Sequence, residues 1–70
     1  MQRISVSSSN ISSVGYDRQT NILEVEFSSG DIYQYFNVPE HLYNNLMGAS
    51  SKGQFFNDYI KYDYRYQKVR

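Results

Sequence analysis

A chain of 70 residues with no cysteine, eight tyrosines, four phenylalanines and equal numbers of acidic and basic side chains has room for one domain only. The missing cysteine excludes disulfides and thiolate metal sites, and a chain this short buries only roughly 60% of its unfolded surface. Dense aromatic packing or association with another chain must then supply the stability.

At the N-terminus, Ile4 and Val6 alternate with Arg3, Ser5 and Ser7, a short strand-like pattern. Ser7-Ser8-Ser9-Asn10 breaks it with side chains that bond to nearby backbone and favour turns. Ile11–Tyr16 is the next expected strand, with Val14 and Tyr16 on one face and Gly15 marking a bulge or a close backbone approach. Asp17–Asn21 is a turn. Leu23, Val25 and Phe27 then alternate with Glu24 and Glu26, the cleanest period-2 signal in the chain, and predict one buried and one solvated face. Ser28–Asp31 supplies a turn in which Gly30 is able to take positive φ. Ile32–Asn37 is the third strand of this meander, with faces Ile32/Gln34/Phe36 and Tyr33/Tyr35.

Pro39 suits a first helical turn, where its missing N–H costs nothing. Leu42, Tyr43, Leu46 and Met47 form the apolar stripe of that helix, and Gly48 ends it. Ser51-Lys52-Gly53-Gln54 has the capping-box spacing and opens a second helix with the stripe Phe55, Phe56, Tyr59 and Ile60. Beyond Ile60, Tyr62, Tyr64 and Tyr66 alternate with Asp63, Arg65 and Gln67, which predicts a strand or an ordered tail. The expected fold is a small α+β domain over residues 1–70. It has an antiparallel β-meander of three to four strands, then two short helices packed on one face, and a C-terminal segment able to add an edge strand. Residues 1–8 and 63–70 are expected at its periphery.

The ordered elements Ser9-Asn10, Val14-Gly15-Tyr16-Asp17, Leu23-x-Val25-x-Phe27, the Gly30 turn, Tyr33-Gln34-Tyr35, Val38-Pro39, Tyr43, Leu46, Ser51-Lys52-Gly53 and Phe55-Phe56-Asn57 resemble the KTSC domain. This small bacterial and phage module is named for its occurrence at the C-terminus of some lysyl-tRNA synthetases. The resemblance runs from about Ser9 to Tyr62. It implies RNA as a suspected ligand and carries no assigned catalytic or ligand residues.

Residues 1–51 hold two basic and five acidic side chains, and residues 52–70 hold five basic and two acidic ones. The asymmetry fits a basic end packed against an acidic sheet or another copy, in preference to a dedicated nucleic-acid footprint, which carries an overall basic excess. Three groups of residues are candidates for binding. Tyr33 and Tyr35 share one strand face and could stack bases, or could pack under a helix. Ser51, Lys52 and Gly53 at a helix start could hold a phosphate, from nucleic acid or a phosphorylated metabolite, or could serve only as a cap. Lys61, Tyr64, Arg65, Tyr66 and Lys68 interleave aromatic and basic groups, a pattern read first as a solvated edge strand or tail, second as pairing with another subunit's edge, and third as a single-strand nucleic-acid binder. His41 stands alone, and Glu24 and Glu26 are expected to solubilise a strand face.

No acid/base pair, nucleophile or metal-ligand spacing is present in the sequence. The expected function is therefore a non-enzymatic binding module without cofactor or metal, with RNA or other nucleic acid as ligand. The alternative is a protein-interaction module, homodimeric or acting as a phage or mobile-element inhibitor or adaptor of a host protein. Met1–Asn10 lacks an apolar signal-peptide core and no stretch approaches membrane-spanning length, so the expectation is a cytoplasmic protein without a membrane partner.

Overall fold

The computed structural model describes all 70 residues. Five strands, β1 (Arg3–Ser5), β2 (Ile11–Asp17), β3 (Ile22–Phe27), β4 (Ile32–Tyr35) and β5 (Tyr66–Lys68), form one antiparallel sheet in the order β1-β2-β3-β4-β5. Helices α1 (Glu40–Gly48) and α2 (Lys52–Tyr59) lie in the chain between β4 and β5. The expected α+β meander with its edge strand is therefore the architecture found. No helix is long and apolar enough to cross a membrane.

Local chemistry sets the corners. The Asp17 carboxylate accepts from the Gln19 amide at 2.9 Å, an Asx turn, and Asn21 closes the β2–β3 connection at φ 58°. Gly30 takes φ 95° between β3 and β4. A Cβ at Gly15 would stand 2.8 Å from the Gln2 carbonyl oxygen, so Gly15 marks a close approach of β1. The register shift instead falls between Ile11 and Ser13.

The alternation in β3 is answered across the sheet. Leu23 pairs with Tyr16 and Tyr35, and Val25 with Val14 and Tyr33, all on the side that faces the helices. Leu46 of α1, Phe56 of α2 and Ile60 close over this side, with Val38 and Ile11 completing a core of fully buried side chains. Phe27, Leu42 and Phe55 pack against it half-buried.

Four expectations need correction. Glu24 is not a solvated strand residue. It is 7% exposed, ion-paired to Arg3 and bonded by the Gln34 amide at 2.8 Å. The capping box is half formed: Ser51 Oγ accepts from the Gln54 amide at 3.4 Å, while the Gln54 side chain turns away to Asp58 at 3.2 Å. Helix α1 has Pro39 as its N-cap and ends on an extended Ala49, with Gly48 still helical. The tyrosine alternation after Ile60 is not one strand, because residues 60–63 form a turn and only Tyr66 of the three tyrosines enters β5. The competing force is burial of Ile60 and Tyr64 against the core, which holds the chain in a turn before it can join the sheet.

Candidate functional site

The register between β4 and β5 places Tyr35 opposite Tyr66 and Tyr33 opposite Lys68, so Tyr33, Tyr35 and Tyr66 stand together on the helix side of the sheet. Their rings lie 5.8 to 6.4 Å apart between centroids. Phe56 reaches from α2 to meet Tyr35 edge-on at 5.2 Å and Phe27 at 5.5 Å, geometry that favours aromatic pairs. Helix α2 covers only part of this side. What remains open is a groove of about 380 Å³, walled by Phe27, Tyr33, Tyr35, Phe56, Tyr62 and Tyr66 and edged by Asn10, Ser29, Asp31, Asn57 and Lys61.

The tyrosines contribute unequally. Tyr35 is 4% exposed and belongs to the core, so it offers no free ring face for stacking. Tyr33 is half-buried between Phe27 and its two tyrosine neighbours. Tyr66 and Tyr62 are the open surfaces, 60% and 82% exposed, with the Lys61 ammonium 5.3 Å from the Tyr62 ring centroid. Tyr64 is half-buried and packs against the core, away from any stacking role. Burial, followed by the neighbouring Tyr33 and Tyr66 phenols, pushes the Tyr35 hydroxyl up to about 12.

Beside this groove, and sharing Asn10 and Asn57 with it, lies a wholly polar depression formed by Ser7, Ser8, Ser9, Ser50, Ser51, Lys52, Gly53 and Gln54. Gly53 is buried by a residue of the protein itself: a Cβ there would collide with the Asn10 carboxamide. Lys52 turns back to donate to the Ala49 carbonyl at 3.1 Å. Ser51 is engaged as the helix cap.

Ion pairing sorts the cations. Arg3 pairs with Glu24, Arg18 with Glu40, Lys68 with Asp31 at 3.4 Å, and Arg70 with Glu26 at 3.9 Å. Lys52, Lys61 and Arg65 have no carboxylate partner. Lys61 edges the aromatic groove and Arg65 immediately precedes Tyr66 in the chain. The structure thus brings together Tyr33, Tyr35, Tyr66 and Lys61, sets Ser51, Lys52 and Gly53 in an adjoining depression, ties Lys68 to Asp31 at the groove edge, and packs Tyr64 against the core. No three His, Cys, Asp or Glu side chains gather to hold a metal ion.

Sequence reasoning passed over Asn10, Phe27, Asn57 and Tyr62 as groove residues. Asn57 lies in the last turn of α2 and Lys61 in the turn that follows it, and both edge the groove. Asn10 had no signal in the sequence, since only tertiary packing brings it against Gly53.

Residues 7–67 match the family model described as the KTSC domain. The chain belongs to the KTSC family. A solved KTSC domain protein of Yersinia pestis superimposes with a TM-score of 0.96 at 45% identity, covering 99% of this chain and 97% of its own. An uncharacterized protein of Stutzerimonas stutzeri is 44% identical over 70 residues, 99% of either chain. A lysine–tRNA ligase of Nostoc punctiforme is 39% identical over 59 residues, which are 84% of this chain but 10% of the ligase. KTSC domains therefore occur both as small separate proteins and as a minor part of tRNA ligases.

Proposed function

We propose that this KTSC domain is a non-enzymatic binding module that takes a short single-stranded RNA segment along the aromatic groove. The observation that carries the reading is the coincidence of exposed aromatic rings, Tyr62 and Tyr66, with Lys61 at the groove edge, a cation that no carboxylate of the protein neutralises; Arg65, next to Tyr66 in the chain, is likewise unpaired. Every base has a π-face, and a base stacked on an aromatic side chain contributes about 1–3 kcal/mol. Lys61 and Arg65 would meet phosphates, with Lys52 at the adjoining depression as a further contact once it leaves the Ala49 carbonyl. The family's presence in ligases named for a tRNA substrate supports an RNA ligand.

Zero net charge sets the expected strength. With three cations available, the slope of log affinity against log salt should be roughly −2, at about 0.7 per phosphate neutralised on a single strand. Fluorescence anisotropy of short labelled single-stranded RNA and DNA at two salt concentrations tests this. Binding that weakens with salt, and further with Lys61→Ala or Tyr66→Ala, sustains the reading. An absence of binding even at low salt ends it.

A second reading has its own observation. The outer edge of β1 is open, and Ile4 and Met1 beside it are 57% and 51% exposed. Such an edge suits strand addition by a protein, either a second copy or a host partner for which this domain is an adaptor or inhibitor. Mass measurement across a dilution series tests self-association. A monomer at every concentration removes the second copy.

A further inference from the structure

The groove contains a polar group that the fold itself leaves unused. The Tyr35 ring is packed on several sides, by Phe56 at 5.2 Å, Tyr66 at 5.8 Å and Tyr33 at 6.4 Å. A phenylalanine would make every one of those contacts. The hydroxyl that distinguishes tyrosine has no hydrogen-bond partner in the protein, yet it is not sealed away, and the residue lines the groove. The phenol therefore keeps its hydrogen-bonding capacity for water or a ligand in the groove. Tyr16 in the same chain shows how this fold treats a structural one: its hydroxyl donates to the Val38 carbonyl at 2.5 Å, with Asn21 Oδ1 at 3.1 Å.

From this geometry we infer that the Tyr35 hydroxyl is a ligand-recognising donor, giving its hydrogen to an acceptor atom on a single unpaired base seated in the groove. The inference rests on the RNA reading and adds to it the atom that reads the base. Tyr33 and Tyr66 bring two further phenols close to Tyr35, so the groove interior presents donors where its walls supply stacking. The environment also keeps Tyr35 protonated, with its pKa pushed up to about 12. It therefore stays a neutral donor throughout the range in which RNA is bound. An apolar pocket alone discriminates weakly between flat rings. A pocket holding a donor whose water the ligand displaces disfavours a group that offers no acceptor in return.

The test is Tyr35→Phe, read by thermal melting and by anisotropy with short labelled single-stranded RNA at two salt concentrations. The melting temperature should stay level or rise, since no internal hydrogen bond is lost. Affinity should fall roughly five- to tenfold, the loss of one hydrogen bond, with the salt slope unchanged because no phosphate contact is removed. Lys61→Ala should instead flatten that slope. A second arm uses the unaltered protein and the same RNA made with abasic nucleotides. Affinity should drop there too, and a strand without bases that binds as tightly as the intact one overturns the inference whether or not Tyr35→Phe folds. Unaltered affinity in a folded Tyr35→Phe also overturns it, while the RNA reading stands. Failure of the unaltered protein to bind RNA at all overturns both.

Discussion

The two sides of the sheet are built on opposite principles, and β3 belongs to both. Towards the helices, Leu23 and Val25 are fully buried among aliphatic and aromatic side chains. On the other side no helix lies above the strand, yet Glu24 is almost as deeply covered, by Arg3 from β1 and Gln34 from β4. Ser13 accepts from Arg3 Nε at 2.9 Å and donates to Glu26 at 2.8 Å, which extends the network. Arg70 reaches Glu26 from the far end of the chain. The helix side gains stability from apolar area removed from water. The back side uses the middle strand's carboxylates to hold both chain termini. Of the five basic residues after residue 51, only Lys68 and Arg70 meet acidic groups of the preceding part, Asp31 and Glu26.

The largest effect should come from opening the helix side. Phe56 is 2% exposed and bridges Phe27 to Tyr35. Phe56→Ala should cost about 3–5 kcal/mol, a large part of the stability of a domain this small, and denaturant titration followed by circular dichroism should show it largely unfolded. The back side should respond less. Glu24→Ala strips Arg3 and Gln34 of their shared acceptor and should cost about 1–3 kcal/mol. A double-mutant cycle with Arg3→Ala should show coupling, and additive losses would mean the network is no network.

The network also predicts acid sensitivity. Burial alone would raise the Glu24 carboxyl, but hydrogen bonds from Gln34 and Arg3, together with the Arg3 charge, outweigh it and hold the group below its ordinary value of 4.5. The stabilisation is then complete above pH 4.5 and is lost as pH falls through the lower folded value. Glu24→Gln should remove that acid leg of the stability profile. Tyr35 makes the opposite leg. Its raised value means stability is intact below pH 10 and declines as pH climbs towards about 12. Tyr35→Phe should flatten the alkaline side, and a profile unchanged by both substitutions would contradict the assignments.

Sequence pattern showed the helix side well and the back side poorly, for a physical reason. Alternation at Leu23, Val25 and Phe27, the stripe ending in Leu46, and Phe56 with Ile60 all report apolar burial, which leaves a periodic trace. Burial of Glu24 leaves none, since a glutamate on a polar strand face looks the same whether water or an arginine meets it. The aromatic groove was half legible. Tyr33, Tyr35 and Lys61 were visible as candidates, but their convergence with Tyr66, Asn10 and Asn57 depends on β5 returning to β4 after two helices. Tyr35 as core and Tyr66 as surface, although cross-strand partners, could not be told apart from the sequence because β5 is the edge strand of the sheet.

Smaller effects separate polar contacts by depth. Tyr16→Phe removes the bond that ties β2 to the Val38 carbonyl before α1, and should cost about 1 kcal/mol by thermal or chemical melting. Tyr35→Phe, an equal chemical change, should cost the folded state nothing.

The least should come from Arg70→Ala. Its guanidinium meets Glu26 at 3.9 Å with the arginine side chain 70% exposed, whereas Arg3, bound to the neighbouring Glu24, is 25% exposed. Both pairs join a terminal arginine to a carboxylate of β3 on the same side of the sheet. They differ in how much water the pair excludes, and an exposed pair contributes only about 0–1 kcal/mol. Arg70→Ala should therefore sit within about 0.5 kcal/mol of the unaltered protein, and that small difference should vanish in high salt. The Arg3–Glu24 coupling should persist there. Equal losses for the two arginines would mean that attachment of the terminal strands, and not desolvation of the pair, governs the back side.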